Sequence, residues 1–248
     1  MSRAIPDSPQ RVGIAILARA PIPGQAKTRL IPALGATGAA ALQRWLLQRT
    51  VATALAADVG PVTLWCAGDT RHPDFTHCRA FGSITLRQQP EGDLGVRMLA
   101  ALRASPTPAT LVIGTDCPAL TATHLREAAQ ALVDHDAVIL PAEDGGYVLI
   151  GARVPQPELF AAIDWGTERV MAQTRQRLAT LGIRWHEPAT LWDVDRPEDL
   201  PRLFSGWPDA GIAAKVSPAM RHGVMREKDG DGYEKQPVRY DIPDGGAP

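Results

Sequence analysis

Short apolar runs alternate along this chain with longer segments of helical period. Residues 12–18, 62–67, 110–114 and 137–142 are apolar runs rich in β-branched side chains, and 84–88 is a shorter, more polar one. Such runs predict strands, the apolar ones buried on both faces as in a parallel sheet. Between them, Leu42, Trp45 and Leu46 fall at i, i+3 and i+4, predicting a helix from a Thr37 cap to near Asp58. Asp93 is placed to cap a helix running to about Ala104. Thr121 is placed to cap another, whose Leu125, Ala128, Ala129 and Leu132 form one apolar stripe. A further helix is expected from a Thr167 cap to Leu181, with Val170, Thr174 and Leu178 inward and Gly182 as its stop. Residues 147–152 read as a strand that either forms a hairpin with 137–142 or diverges from it. Residues 183–187 read as a last short strand and 196–204 as a last helix. Residues 19–32 hold Pro21, Pro23 and Gly24 and are expected to be a loop, and 68–82 to be irregular.

Strands alternating with helices imply an α/β fold: a three-layer α/β/α sandwich with a mostly parallel central sheet. The pattern spans residues 12–206 as one domain. Residues 207–248, rich in Gly, Pro, Asp and Lys, read as a flexible tail.

Composition narrows the partners. A net charge of −1 argues against a nucleic-acid binder. No apolar run approaches the ~18–20 residues that a membrane span needs. Cys66, Cys78 and Cys117 show no CxxC spacing, so neither a zinc knuckle nor a disulfide framework is expected, and a reducing cytoplasm fits. The polar first ten residues, with two prolines, do not read as a signal peptide. Charge is nonetheless uneven. No Asp or Glu lies between Ser8 and Ala57, a stretch that holds Arg11, Arg19, Lys27, Arg29, Arg44 and Arg49. Such a field suits a small anionic ligand.

Candidate chemistry sits at strand ends, where open α/β sheets collect ligands. The loop after the first strand carries Arg19, Gly24, Lys27 and Arg29. Glycine allows close backbone approach and the cations neutralise phosphate oxygens. The spacing is neither a Walker A nor a GxGxxG pattern, and a solvated basic loop is the alternative. Asp116 ends the 110–114 strand, where a carboxylate must be paired, hydrogen-bonded or metal-bound. Asp193 and Asp195 lie on one side of an extended segment and are candidates for a second ligand to Mg²⁺ or Mn²⁺, although Asp195 also suits a helix cap. Glu143 and Asp144 precede Gly145-Gly146, either as a solvated turn or as a loop presenting a carboxylate to an acceptor.

Several motifs then fall in one order: 18–30 (Ala-Arg-Ala-Pro-x-Pro-Gly-x-x-Lys-Thr-Arg-Leu), 114–118 (Gly-Thr-Asp-Cys-Pro), 142–147 (Ala-Glu-Asp-Gly-Gly-Tyr), Trp165-x-Thr167-Glu168, and Asp193-Val194-Asp195-x-Pro197-Glu198-Asp199. Together they resemble the DUF2064 family, described as selenodomain-associated or arsenosugar-biosynthesis glycosyltransferase-like. The resemblance covers about residues 12–204. It extends to GT-A glycosyltransferases and to nucleotidyltransferases of the MobA and CofC kind, and so implies a nucleotide-diphospho-sugar transferase-like fold. By that resemblance, Gly24, Lys27 and Arg29 hold nucleotide phosphates. Asp116 binds the metal, Asp193 or Asp195 completes its site, and the segment with Gln89, Gly92 and Arg97 lies beside the nucleobase. The chain departs from a GT-A Asp-x-Asp, since Pro118 stands two residues after Asp116. It departs from the nucleotidyltransferase Gly-Gly-x-Ser-x-Arg loop in having Pro21 and Pro23.

The expectation is a metal-dependent glycosyltransferase-like enzyme moving a sugar from a nucleotide-sugar donor to a small-molecule acceptor. Nucleotidyl transfer from a nucleoside triphosphate is the alternative, and a non-catalytic nucleotide-binding module a further one. Nothing in the sequence sets the oligomeric state.

Overall fold

A computed structural model describes residues 11–208. The expected tail from 209 onward and the first ten residues lie outside the described residues. The strands are β1 (Val12–Arg19), β2 (Val62–Ala67), β3 (Ile84–Gln88), β4 (Ala109–Ile113), β5 (Ala137–Pro141), β6 (Tyr147–Ala152) and β7 (Trp185–His186). They form one sheet in the order β3-β2-β1-β4-β6-β5-β7. Every neighbour pair is parallel except those of β6, which runs antiparallel to both β4 and β5. The 137–142 and 147–152 runs therefore do form a hairpin, with a register shift at Leu140/Pro141. Its return strand, not its first, lies against β4.

Among the described residues the α-helices are α1 (Ile31–Ala57), α2 (Pro73–His77), α3 (Leu94–Arg103), α4 (Ala122–Asp134) and α5 (Val170–Thr180), which flank the sheet, and α6 (Leu200–Gly206), which packs beside α1. Strand alternation divides the core. Ile14, Ile16, Leu64, Leu111, Ile113 and Leu140 pack with Leu47 and Val51 of α1, Phe75 of α2 and Leu125 of α4. Ala15, Trp65, Val112, Ile139 and Ile150 face the other way, onto Met98 and Leu102 of α3 and Met171 and Leu178 of α5. A third, smaller cluster joins Leu30, Leu34, Leu42 and Leu46 to Trp192, Val194, Leu200 and Leu203. That cluster seats the 192–194 segment beside the start of α1. Among the described residues no helix is long and apolar enough to cross a membrane.

Four local expectations need correction. Helix α1 begins at Ile31, with Pro32 in its first turn, and is broken by Gly35 at φ 68°, so Thr37 does not cap it. Segment 68–82 is not wholly irregular: it contains α2, too short to show a period, with His72 accepting from the Asp74 amide. Helix α5 starts three residues past Thr167, whose hydroxyl instead accepts from the Arg169 amide within a turn. The 183–187 strand shrinks to the two residues of β7. The Asp93 and Thr121 caps form as expected, on the Val96 and His124 amides.

Candidate functional site

Parallel strands β1, β2 and β4 end along one edge of the sheet, and a cavity of about 510 Å³ opens there. Its walls hold Arg19, Gln25, Lys27, Arg29, Gln89, Arg97, Asp116, Tyr147, Asp193 and Asp195, over an apolar floor that includes Leu17, Met98, Val112 and Ile113. Distant parts of the chain converge here because the end of β4 is tied to the 193–195 segment: the Val194 amide donates to the Asp116 carbonyl at 2.8 Å.

Lys27 sits at the centre. Its backbone adopts a left-handed conformation, φ 48° and ψ 47°, which turns the β1 loop back over the sheet edge. Its ammonium lies 2.7 Å from Asp116 Oδ1 and donates to the Val194 carbonyl at 2.5 Å. The Lys27 side chain is 4% exposed and that of Asp116 is 49% exposed, so the cation is enclosed while the acid opens onto the cavity. Arg29 pairs with Asp195. Gln43, buried within α1, donates to the Arg19 carbonyl at 3.3 Å and to Thr115 Oγ1 at 3.2 Å, joining the β1 end to the β4 end.

Asp193 is partly buried, and its carboxyl is pushed up from 3.8 to about 6. Burial is the largest cause. The facing carboxylates of Asp144 and Asp116 add to it, and Lys27 opposes them. Asp193 thus lies in the fields of two other acids, of which Asp116 shares the cavity wall with it. Cys117, beside Asp116, is a buried thiol, pushed up to about 12 chiefly by that burial.

The remaining expected residues divide. Arg19 and Arg97 line the cavity, and Arg97 Nε is buried with no hydrogen-bond partner among the described residues. Gln89 lines it too, with its amide nitrogen held by the Ala18 and Trp65 carbonyls at 3.2 and 2.8 Å. Gly24 (φ 81°) and Gly92 (φ 122°) shape their loops without forming cavity wall. Asp144 faces Asp193 and accepts from the Gly146 amide at 2.9 Å. Glu143 is not part of the cavity wall and is held in a two-pronged pair with Arg202 at 2.7 and 3.1 Å that keeps its carboxyl below the usual range. Asp195 does not cap the last helical segment: the cap position is Arg196, the Asp195 carboxylate pairs with Arg29, and Asp199 accepts from the Asp195 and Arg196 amides. Sequence reasoning missed Gln43, Tyr147 and Arg202. Gln43 had a faint signal, a polar residue placed three and four positions before Leu46 and Leu47 on the apolar face of its helix; Arg202 had none.

The acids suit a divalent ion only in part. Among the described residues no three His, Cys, Asp or Glu side chains form a closed cage, and Asp195 is turned to Arg29. Asp116 and Asp193 remain as two hard oxygen donors on the cavity wall, and their mutual repulsion is what a cation relieves. Mg²⁺ commonly binds by one or two carboxylates plus phosphate oxygens and water, so this donor set fits it.

The family model described as "Uncharacterized protein conserved in bacteria (DUF2064)" matches residues 50–167. Among curated proteins none matches the chain. A crystal structure from Desulfovibrio desulfuricans G20, provisionally described as a nucleotide-diphospho-sugar transferase, is similar at 26% identity and a TM-score of 0.72, over 84% of this chain and 92% of that one. A cytidylyltransferase from Leptospira borgpetersenii is similar in fold at 15% identity and a TM-score of 0.54, over 81% and 87%. So is the 4-diphosphocytidyl-2C-methyl-D-erythritol synthase of Anaerococcus prevotii, at 11% and 0.54, over 80% and 99%. The fold is that of the nucleotidyltransferase and nucleotide-diphospho-sugar transferase superfamily.

Proposed function

Because the DUF2064 family model matches residues 50–167 and the chain has the fold of a nucleotide-using transferase, we propose that it is a member of that family and transfers a nucleotidyl group from a nucleoside triphosphate to a small-molecule acceptor, with Mg²⁺ or Mn²⁺. The observation that carries this reading is the enclosed Lys27 ammonium against Asp116, facing Asp193, in a cavity walled by Arg19, Arg29 and Arg97. Lys27, Arg29 and Arg19 bind phosphate oxygens, with Arg29 leaving Asp195 to do so. Arg97 and the Gln89–Gly92 turn flank the base. Asp116 and Asp193 hold the divalent ion, which when bound neutralises charge on the pyrophosphate leaving group. An acceptor hydroxyl attacks the α-phosphorus, the bond from that phosphorus to the pyrophosphate oxygen breaks, and Asp144 takes the hydroxyl proton. Glu143 is engaged by Arg202, which leaves Asp144 as the base.

Nucleotidyl transfer is preferred to glycosyl transfer because the β4 end carries one acid, with Pro118 where an Asp-x-Asp pair would put its second. Glycosyl transfer stays as the second reading on one observation, the description of the Desulfovibrio structure. The test is a thermal-shift panel of nucleoside triphosphates and nucleotide sugars, with and without Mn²⁺. Binding at one hundred times Kd adds about 2.7 kcal/mol, or about 5–11 °C in Tm for a domain of this size. The proposal expects the largest shift with a triphosphate plus Mn²⁺, and pyrophosphate as product. A larger shift with a nucleotide sugar, and a nucleoside diphosphate as product, favours the second reading. Binding without turnover makes the chain a nucleotide-binding module, and no shift with any member removes the site.

A further inference from the structure

Asp193 is repelled by both Asp144 and Asp116, so the segments that carry these acids must be held in place before any cation joins them. Lys27 restrains Asp116, but it touches neither the loop of Asp144 nor the side chain of Asp193. We propose that Arg202 of α6 and Trp207, just past it, are positioning residues that clamp those two acid-bearing segments onto the body of the domain. The inference rests on the acid cluster of the proposed site and not on which group is transferred.

Arg202 makes two contacts at once. Its guanidinium grips Glu143, the neighbour of Asp144, at 2.7 and 3.1 Å, and it lies 4.5 Å from the ring centre of Trp192, the neighbour of Asp193. Trp207 continues the chain of contacts, with its ring 6.1 Å from Trp192 and 6.3 Å from Trp45 of α1. Arg49 of α1 stacks on Trp207 at 4.8 Å and donates from Nε to the Pro118 carbonyl at 2.9 Å, two residues past Asp116. One cation–aromatic ladder therefore touches the neighbourhood of each acid and ends on the long helix α1.

The segments themselves are joined by few main-chain bonds. The Glu143 amide donates to the Leu191 carbonyl and the Leu191 amide to the Pro141 carbonyl, both at 2.9 Å, and the Val194 amide to Asp116 at 2.8 Å. The Glu143 and Arg202 side chains are each about half exposed, at 52% and 51%. An exposed ion pair contributes little to global stability, so losing it leaves the fold intact and makes a local effect readable.

The experiment compares wild type with Arg202→Ala, Glu143→Gln, Trp207→Ala and Trp207→Phe in the full chain. Two readouts are taken: amide exchange at Glu143, Leu191 and Val194, and Mn²⁺ affinity by electron paramagnetic resonance with the metal alone as probe. The clamp predicts exchange about tenfold faster at those three amides in Arg202→Ala and Trp207→Ala, with β1 and β4 amides unchanged. It predicts Mn²⁺ affinity about tenfold weaker in the same variants and in Glu143→Gln, and Trp207→Phe close to wild type. Unchanged exchange in both alanine variants overturns the clamp. So does loosened exchange with unchanged Mn²⁺ affinity, because the residues would then be structural only. A wild type that binds no Mn²⁺ removes the metal from the proposed function, and exchange alone then decides the clamp.

Discussion

Replacing Asp193 with Asn should stabilise the ligand-free protein at neutral and alkaline pH while impairing its site. The carboxyl sits at about 6 in the folded chain against an ordinary 3.8, because burial and the Asp144 and Asp116 charges oppose its ionisation. At about 1.36 kcal/mol per pH unit, that gap is about 3 kcal/mol of destabilisation once the group is ionised. Asp193 is only partly buried and lines an open cavity, so screening reduces this to about 1–2 kcal/mol. The sign follows from linkage. Between pH 4 and 6 the folded chain holds a proton that the unfolded chain has lost, so wild-type stability falls as pH rises through that window and stays low above it. Asn keeps the shape and removes the charge. Thermal unfolding of the two proteins from pH 4 to 8 should show Asp193→Asn higher in Tm by about 2–8 °C at pH 8, with the advantage shrinking towards pH 4. An advantage equal at both ends, or none at pH 8, would refute the assignment of repulsive strain to this acid. Such a gain alongside lost ligand affinity is the trade between stability and function expected where like charges are gathered for a cation.

Other outcomes follow from the same geometry. Lys27→Met keeps the stem but leaves Asp116 unpaired and the Val194 carbonyl without its donor. With one partner enclosed and the other half exposed, the cost lies between buried and surface values, about 2–3 kcal/mol by urea unfolding. Gly145→Ala should be worse than Gly24→Ala although both sit at positive φ: a Cβ at Gly145 would meet the Glu168 carbonyl oxygen at 2.2 Å, whereas at Gly24 nothing lies within 4 Å. Unfolding should report about 1 kcal/mol for Gly24→Ala and about 3 kcal/mol or more for Gly145→Ala. The thiols of Cys66, Cys78 and Cys117, pushed up to about 12, 11 and 12 by burial, should resist alkylation at pH 8 in the folded protein, as mass spectrometry would record, and react after unfolding.

The elements most legible in the sequence were those whose signal is local. Residues 12–18, 62–67 and 110–114 read as strands because both faces are buried, and Asp93 and Thr121 read as caps because a cap needs only its own next turn. The place of β6 was not legible: a hairpin fits residues 137–152 whichever strand meets β4, and sheet order is settled by packing far along the chain. Helix α2 hid because five residues cannot show a period, and the Gly35 break hid inside a segment apolar on more than one side. At the site, strand-end position pointed to Asp116 and to the loop that carries Lys27, since backbone topology puts strand ends together, and Asp193 and Asp195 were legible only as a pair on one extended segment. It did not distinguish Asp195 from Asp193, because the difference is a contact to Arg29 that spans 166 residues. Nor did it reveal Arg202, whose partner Glu143 lies 59 residues away and whose aromatic support exists only in three dimensions.

The central claim is that Asp116 and Lys27 meet at one site that takes a nucleotide's phosphates together with a divalent ion. Isothermal titration of the best triphosphate from the panel, with Mn²⁺, into wild type and Asp116→Asn tests it most directly. The account predicts one site per chain in wild type, dependent on Mn²⁺, and affinity at least about tenfold weaker in Asp116→Asn. Equal affinity in the two proteins, or wild-type binding indifferent to Mn²⁺, would contradict it.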